Sequence, residues 1–266
     1  MIDLQYLPAG RHGRPAGVLV LPPERPRKLL ICVHGFTRQP LEQAEAFAPL
    51  ARERGWALLL PVFDERRHRR YAQLPPATGT RRLRADLALI ALVERLGRRH
   101  RLPLDGWGLF GYSAGAQFAH RFALLHPQRL GALALGAAGW YTWPQSGRPW
   151  PQGLDDAPAP PQREAFLRLP MALWVGQRDV VADRHLRDDD ELNLWQGPHR
   201  LLRAQAWAAA VADARHGLGL PPPALHTIAR AGHSFVACER RGGLAAAVVD
   251  FMAATGHDCD RAMKIS

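Results

Sequence analysis

The sequence predicts an α/β domain with a mostly parallel central sheet and helices on both faces. Three observations predict it. Short apolar runs alternate with helical patterns along the chain. One run, Leu29-Leu30-Ile31-Cys32-Val33, is apolar throughout, as a strand buried on both faces must be. A glycine-rich turn, Gly111-Tyr112-Ser113-Ala114-Gly115, stands between a strand pattern and a helix pattern.

The elements follow in order. Strands are predicted at 17–21, 29–33, 56–62, 106–110, 130–135, 171–175 and 224–228, where Leu, Val and Ala run together between turn residues. Helices are predicted at 41–54, 81–100, 114–126, 201–214 and 243–254. In 81–100, Leu83, Leu87, Ile90 and Val93 are expected on the core face, with the arginines and Glu94 outside. The helix at 114–126 must stop before Pro127, because the residue ahead of a proline disfavours helix. Two stretches fit neither pattern. Residues 140–168 are rich in Trp, Pro and Gly, and 180–197 carry Asp188-Asp189-Asp190-Glu191. The acidic run lacks a ligand spacing and reads as a solvated face. No composition break marks a second domain, so residues 1–266 are read as one domain with 140–168 as a small lid-like insertion.

Composition narrows the function. The chain has 266 residues, enough for a sizeable core, and a formal net charge of +11. The positive charge is almost all arginine, with lysine only at Lys28 and Lys264. It is scattered rather than gathered in a stripe with aromatics, which argues against a nucleic-acid partner. The densest group, Arg66-Arg67-His68-Arg69-Arg70, follows a strand and is expected on the side where strands end and a site opens. Cys32, Cys238 and Cys259 are far apart and make neither a disulfide framework nor a metal site. His257-Asp258-Cys259-Asp260 reads as a polar tail. There is no membrane-length apolar run and no secretory leader, so a cytoplasmic location is expected.

The chemistry centres on Ser113. A sharp strand-to-helix turn lifts a serine hydroxyl clear of the sheet and sets it at a helix N-terminus. A hydroxyl needs a base. His233, in Ala231-Gly232-His233-Ser234-Phe235, follows the last strand and is the candidate. His120 and His126 lie on the helix behind the serine and suit packing, whereas His68, His100, His185, His199 and His216 fall in polar segments expected to be exposed. The carboxylate that orients the base should follow a late strand. Asp179 stands there, in Gly176-Gln177-Arg178-Asp179, with Asp183 as the alternative. Backbone N–H groups of Phe36, after His34-Gly35, and of Ala114 are the candidate donors for an oxyanion. Trp140, Tyr141 and Trp143, together with Trp150, are expected to line a substrate pocket.

These residues, in the order Ser113, Asp179, His233, resemble the α/β-hydrolase superfamily over most of the chain. Gly111 to Phe118, followed by Ala137-Ala138-Gly139-Trp140-Tyr141, is similar to serine esterases of the polyhydroxybutyrate-depolymerase-like and feruloyl-esterase-like groups. The resemblance implies an α/β-hydrolase fold and hydrolysis of a small-molecule carboxylic ester through an acyl-enzyme, with no cofactor and no metal. A thioesterase, an amidase or peptidase, and an acyltransferase would use the same triad. A ligand-binding member of the fold without catalysis is the alternative of another class. The sequence leaves the oligomeric state open.

Overall fold

A computed structural model describes residues 3–10, 13–75 and 84–255. The predicted positions Arg81, Arg82 and Leu83 and the tail 256–266 lie outside the described residues. The strands are β1 (Gln5–Leu7), β2 (Ala16–Val20), β3 (Leu29–Val33), β4 (Ala57–Val62), β5 (Trp107–Tyr112), β6 (Leu130–Gly136), β7 (Met171–Gly176) and β8 (Ala224–Ile228). The helices are α1 (Leu41–Glu53), α2 (Ala85–His100), α3 (Ala114–Leu125), α4 (Arg163–Arg168), α5 (Asp190–Gln196), α6 (Arg200–His216), α7 (Phe235–Gly242) and α8 (Leu244–Ala254). Among the described residues, no helix is long and apolar enough to cross a membrane.

The strands form one sheet in the order β1-β2-β4-β3-β5-β6-β7-β8. β1 and β2 run antiparallel to their neighbours, and the pairings from β4 through β8 are parallel. From β3 the chain goes to β4 on one side and then to β5 on the other. Chain order therefore reverses at β3, and a crevice opens beyond the carboxyl ends of β3 and β5, where an open α/β sheet takes its ligand.

The period of two along β5 shows how the sheet is covered. Trp107 packs against Phe122 of α3 on one face. On the other, Phe110 meets Phe47 of α1, and the Cα of Gly108 faces Met252 of α8. β3 is fully buried along its length, as a strand covered on both faces should be.

α2 differs in detail from the expected face. Its buried side is Ala85, Ala88, Leu89, Leu92, Val93 and Leu96, while Leu87 is half exposed. Alanines carry this stripe together with the leucines, so a reading that weighted only large side chains rotated it. His68 is also a correction. It is buried, and its Nε2 donates to the Gly13 carbonyl, whereas its arginine neighbours in 66–70 are exposed. The acidic run has a structural role: Asp189 caps α5 by accepting the Leu192 N–H at 2.8 Å.

Residues 140–168 fold onto the body through Thr142. Its N–H donates to His120 Nε2 and its carbonyl accepts from Trp207 Nε1. Its Oγ1 accepts from Arg121 Nε at 2.8 Å and donates to the Pro151 carbonyl at 2.6 Å. Trp150 adds a bond from its ring N–H to the carbonyls of Gln73 and Leu74. Thr142→Val keeps the shape but strips two partners from buried groups, one of them a guanidinium. We expect a loss of about 2–4 kcal/mol in urea unfolding, with turnover at low temperature retained.

Candidate active site

Ser113 sits between β5 and α3 with φ 56° and ψ −116°, a backbone conformation most side chains avoid. Its N–H donates to the Gly136 carbonyl at 2.7 Å, which fixes the turn to β6. The glycines on either side are required by space. A Cβ on Gly111 would lie 2.1 Å from the Gly115 carbonyl oxygen, and one on Gly115 would lie 2.1 Å from that of Val33. The start of α3 is thus pressed against the ends of β5 and β3, and the serine is held up into the crevice.

The loops after β7 and β8 bring the other groups to it. They are stitched together by Gln177 N–H to the Ile228 carbonyl and Arg178 N–H to the Ala231 carbonyl, at 2.9 and 2.8 Å. His233 Nε2 lies 3.0 Å from Ser113 Oγ, and its Nδ1 lies 2.9 Å from Asp179 Oδ2. Asp179 is buried, so the carboxylate meets the imidazole away from bulk water. Tyr112 stacks beneath His233 with ring centroids 5.7 Å apart. Asp183 lies outside this chain of contacts: it accepts from Arg200 at 2.8 and 3.1 Å. The Arg200 fork holds the Asp183 carboxyl well below the usual range, at about 2, against a smaller opposing effect of burial.

The loop after β3 is fixed by its carbonyls. The Gly35 carbonyl accepts from His34 Nδ1, from the Tyr71 hydroxyl and from the Arg38 N–H. Across a trans peptide the next N–H points the opposite way, so the same bonds orient the Phe36 N–H. Gly35 backs directly onto Ser113: a Cβ there would stand 3.5 Å from the serine Cβ. Ala114 is the first residue of α3, and its N–H is one of the first-turn donors that a helix leaves without an internal acceptor.

A cavity of about 510 Å³ opens beside these groups. Phe36, Tyr112 and Phe235 supply its apolar walls, and Glu42, Arg184 and His185 its polar ones, with Ser113 and His233 at its base. The His185 ring rests on Phe36, with centroids 5.2 Å apart.

No protein-family model matches the chain, and no curated protein sequence matches it either. Solved structures do. Poly(aspartic acid) hydrolase-1 from Sphingomonas sp. KT-1 is 22% identical with a TM-score of 0.76, covering 90% of this chain and 96% of that one. A poly(3-hydroxybutyrate) depolymerase from Bordetella parapertussis is 25% identical with a TM-score of 0.72, over 90% and 87% of the two chains. An S-formylglutathione hydrolase from Agrobacterium tumefaciens is 15% identical with a TM-score of 0.57, over 94% of each. The chain has the α/β-hydrolase fold.

Within this fold the expected aromatic residues do not line the cavity beside Ser113. Trp140 is buried with its ring between the guanidiniums of Arg121 and Arg187, at 4.2 and 5.0 Å. Tyr141 is fully buried against Trp207 at 4.9 Å, and Trp143 packs edge-on against Trp195 at 4.7 Å. These rings fasten the insertion to the body. The cavity is walled instead by the loops after β3, β7 and β8 and by the start of α1. Sequence reasoning missed Tyr112 as a platform for His233 and Arg200 as the partner of the acids. Arg200 carried only one signal, its place just ahead of a predicted helix.

The setting of His34 has a measurable consequence. Its Nε2 accepts the Phe63 N–H at 3.0 Å, which leaves the proton on Nδ1 for Gly35. Burial, the largest influence, lowers its pKa to about 4 from the ordinary 6.5, with Arg38 adding to the effect and the Gly35 carbonyl opposing it. The unfolded chain binds this proton first as pH falls. The contribution to stability is therefore complete above about pH 6.5 and is lost down to about pH 4, by roughly 3 kcal/mol. We expect His34→Gln to be less stable at pH 7.5 yet to lose less stability than wild type between pH 7 and 4. Denaturant unfolding across that range measures both.

Proposed function

We propose that the chain hydrolyses a carboxylic ester through an acyl-enzyme on Ser113. The observation that carries this reading is the continuous line of contacts from Ser113 Oγ through His233 to buried Asp179, at 3.0 and 2.9 Å. In the reaction Ser113 Oγ attacks the ester carbonyl while His233 Nε2 takes its proton. His233 then gives that proton to the leaving alkoxide, and the alcohol departs. A water, deprotonated in turn by His233, attacks the acyl-enzyme; His233 then returns that proton to the departing Ser113 Oγ, and the acid is released. Asp179 keeps the Nδ1–H tautomer, so that Nε2 is free to act as base, and it offsets the charge on the imidazolium. The N–H groups of Phe36 and Ala114 serve the oxyanion, each worth roughly 3–4 kcal/mol in the transition state.

The cavity volume suits a small-molecule ester, and its mixed walls suit a substrate with both apolar and polar parts. The structural relatives are hydrolases named for polymeric and thioester substrates, and the triad itself serves esters, thioesters and amides alike. A panel of short-to-long acyl esters with thioester and peptide controls separates these.

We expect wild type to be labelled covalently by a fluorophosphonate and Ser113→Ala to fold normally without labelling, with turnover down by at least about 10³-fold. Asp179→Asn should stay folded and lose kcat by up to about 10⁴-fold, because the imidazole then favours the wrong tautomer. Turnover retained in Ser113→Ala would remove the reading.

A further inference from the structure

We propose that Arg200, shared between Asp179 and Asp183, is a positioning residue that sets the charge His233 works against, with Asp183 as its counter-ion. This rests on the acyl-transfer reading of the site.

The geometry is specific. Arg200 is buried at the start of α6. Its Nη1 reaches Asp179 Oδ1 at 3.4 Å and Asp183 Oδ2 at 2.8 Å, and its Nη2 reaches Asp183 Oδ1 at 3.1 Å. The next residue, Leu201, donates its N–H to the Asp179 carbonyl at 3.2 Å, so α6 grips the acid by backbone and side chain together. Asp179 therefore has one oxygen on His233 and the other facing a guanidinium. A lone arginine there would cancel the carboxylate that His233 needs when it becomes an imidazolium. Asp183 prevents this. With two carboxylates and one guanidinium, the cluster carries one net negative charge, which water screens in part because the Asp183 side chain is 38% exposed.

The remaining groups around His233 contribute less. Tyr112 and Cys238 are both buried, and burial raises each above its ordinary value, so both are neutral. Glu42, Arg184 and His185 face it across the open cavity, and Arg178 and Arg230 are exposed on the two stitched loops. Water screens these last five.

Asp183 also shapes the cavity wall. Its Oδ1 accepts the N–H groups of His185 and Leu186 at 2.8 and 3.1 Å, which folds the loop that carries Arg184 and His185. An asparagine keeps Oδ1 as acceptor for these N–H groups, removes the charge, and replaces the Oδ2 that accepts from Arg200 Nη1 with an NH2 group. Asp183→Asn thus keeps the loop's hydrogen bonds while removing the counter-ion of Arg200.

The test reads the protonation midpoint of His233 in two ways: NMR titration of its Cε1–H, and the acid limb of kcat/KM for a neutral ester. In Asp183→Asn the local charge becomes more positive, the imidazolium is disfavoured, and the midpoint should fall by roughly half a pH unit or more. In Arg200→Gln the cluster becomes more negative, and the midpoint should rise by a similar amount. Arg200→Lys should restore the midpoint to within about 0.2 of wild type while still lowering kcat, because a point charge lacks the fork. Opposite shifts establish the proposal. Midpoints unmoved, or moved the same way, overturn it. Should Arg200→Gln fail to fold, Asp183→Asn decides alone, since a wild-type midpoint there is enough to reject the idea. The NMR titration needs no turnover. A chain that is never labelled by fluorophosphonate would thus count against the acyl-transfer reading while the charge coupling is still judged.

Discussion

The close approach of α3 to the ends of β3 and β5 is the constraint on which the site depends. Gly111 and Gly115 allow backbone atoms to meet where any Cβ would collide. That contact forces Ser113 into its positive φ, a strain of about 1–3 kcal/mol that the surrounding sheet must hold. It holds because the neighbouring strands are buried on both faces and their ladders are parallel, with β5 and β6 in unbroken register from Gly108 to Tyr112. The reversal of chain order at β3 then places the His34-Gly35 loop and the serine side by side. Two pieces of backbone far apart in sequence become neighbours, and the proposed oxyanion donors lie on them.

Charge buried behind this surface is the second organising feature. Arginines looked like a solvated coating in the sequence, and many are. Arg121, Arg200 and Arg203 are nevertheless among the largest fully buried side chains. Each is bound by acceptors, although Arg121 Nη2 and Arg200 Nε are buried without a hydrogen-bond partner among the described residues. Arg203 holds the carbonyls of Gly139, Arg187 and Gly197 together, joining the chain after β6 to the loop after β7. Arg121 joins the Ala72 carbonyl to the Thr142 hydroxyl. A buried guanidinium is costly to desolvate, so its return is in fixed geometry more than in net stability. Lost solvation is visible at Arg121, whose value burial lowers to about 9 from 12.5.

Legibility followed the physics of each signal. The strands β3, β6 and β7 were readable because full burial writes an unbroken apolar run, and the Ser113 turn because steric crowding demands glycine at fixed offsets. Order along the chain then pointed to His233 and Asp179, which the structure brings within hydrogen-bonding distance of one another, with His233 also within reach of Ser113. β1, α4, α5 and α7 were not read, since a few residues carry too little periodicity. For α5 and α7 the cap residues Asp189 and Ser234 were the usable signal. The pocket failed for a different reason. Aromatic residues bury themselves in cores and in cavities alike, so Trp140 and Tyr141 gave no means of telling the two apart. His68 failed likewise: basic neighbours suggested exposure, while alternate residues in a turn can face opposite ways.

The division of labour between the loops follows from this placement. The insertion after β6 is locked by Thr142, stacked rings and buried arginines, and so has little freedom to adapt to a substrate. The loop after β7 is different. It is exposed at Val180, Val181 and Arg184, and it returns to the body at Arg200 through Asp183. The same loop begins with Asp179 and ends by walling the cavity. One short stretch of chain therefore carries the acid of the proposed triad, the counter-ion of the arginine that braces it, and the polar rim a substrate would meet. Through the proposed charge coupling, a change at Asp183 reaches His233 by electrostatics, whereas changes in the insertion reach it only through folding.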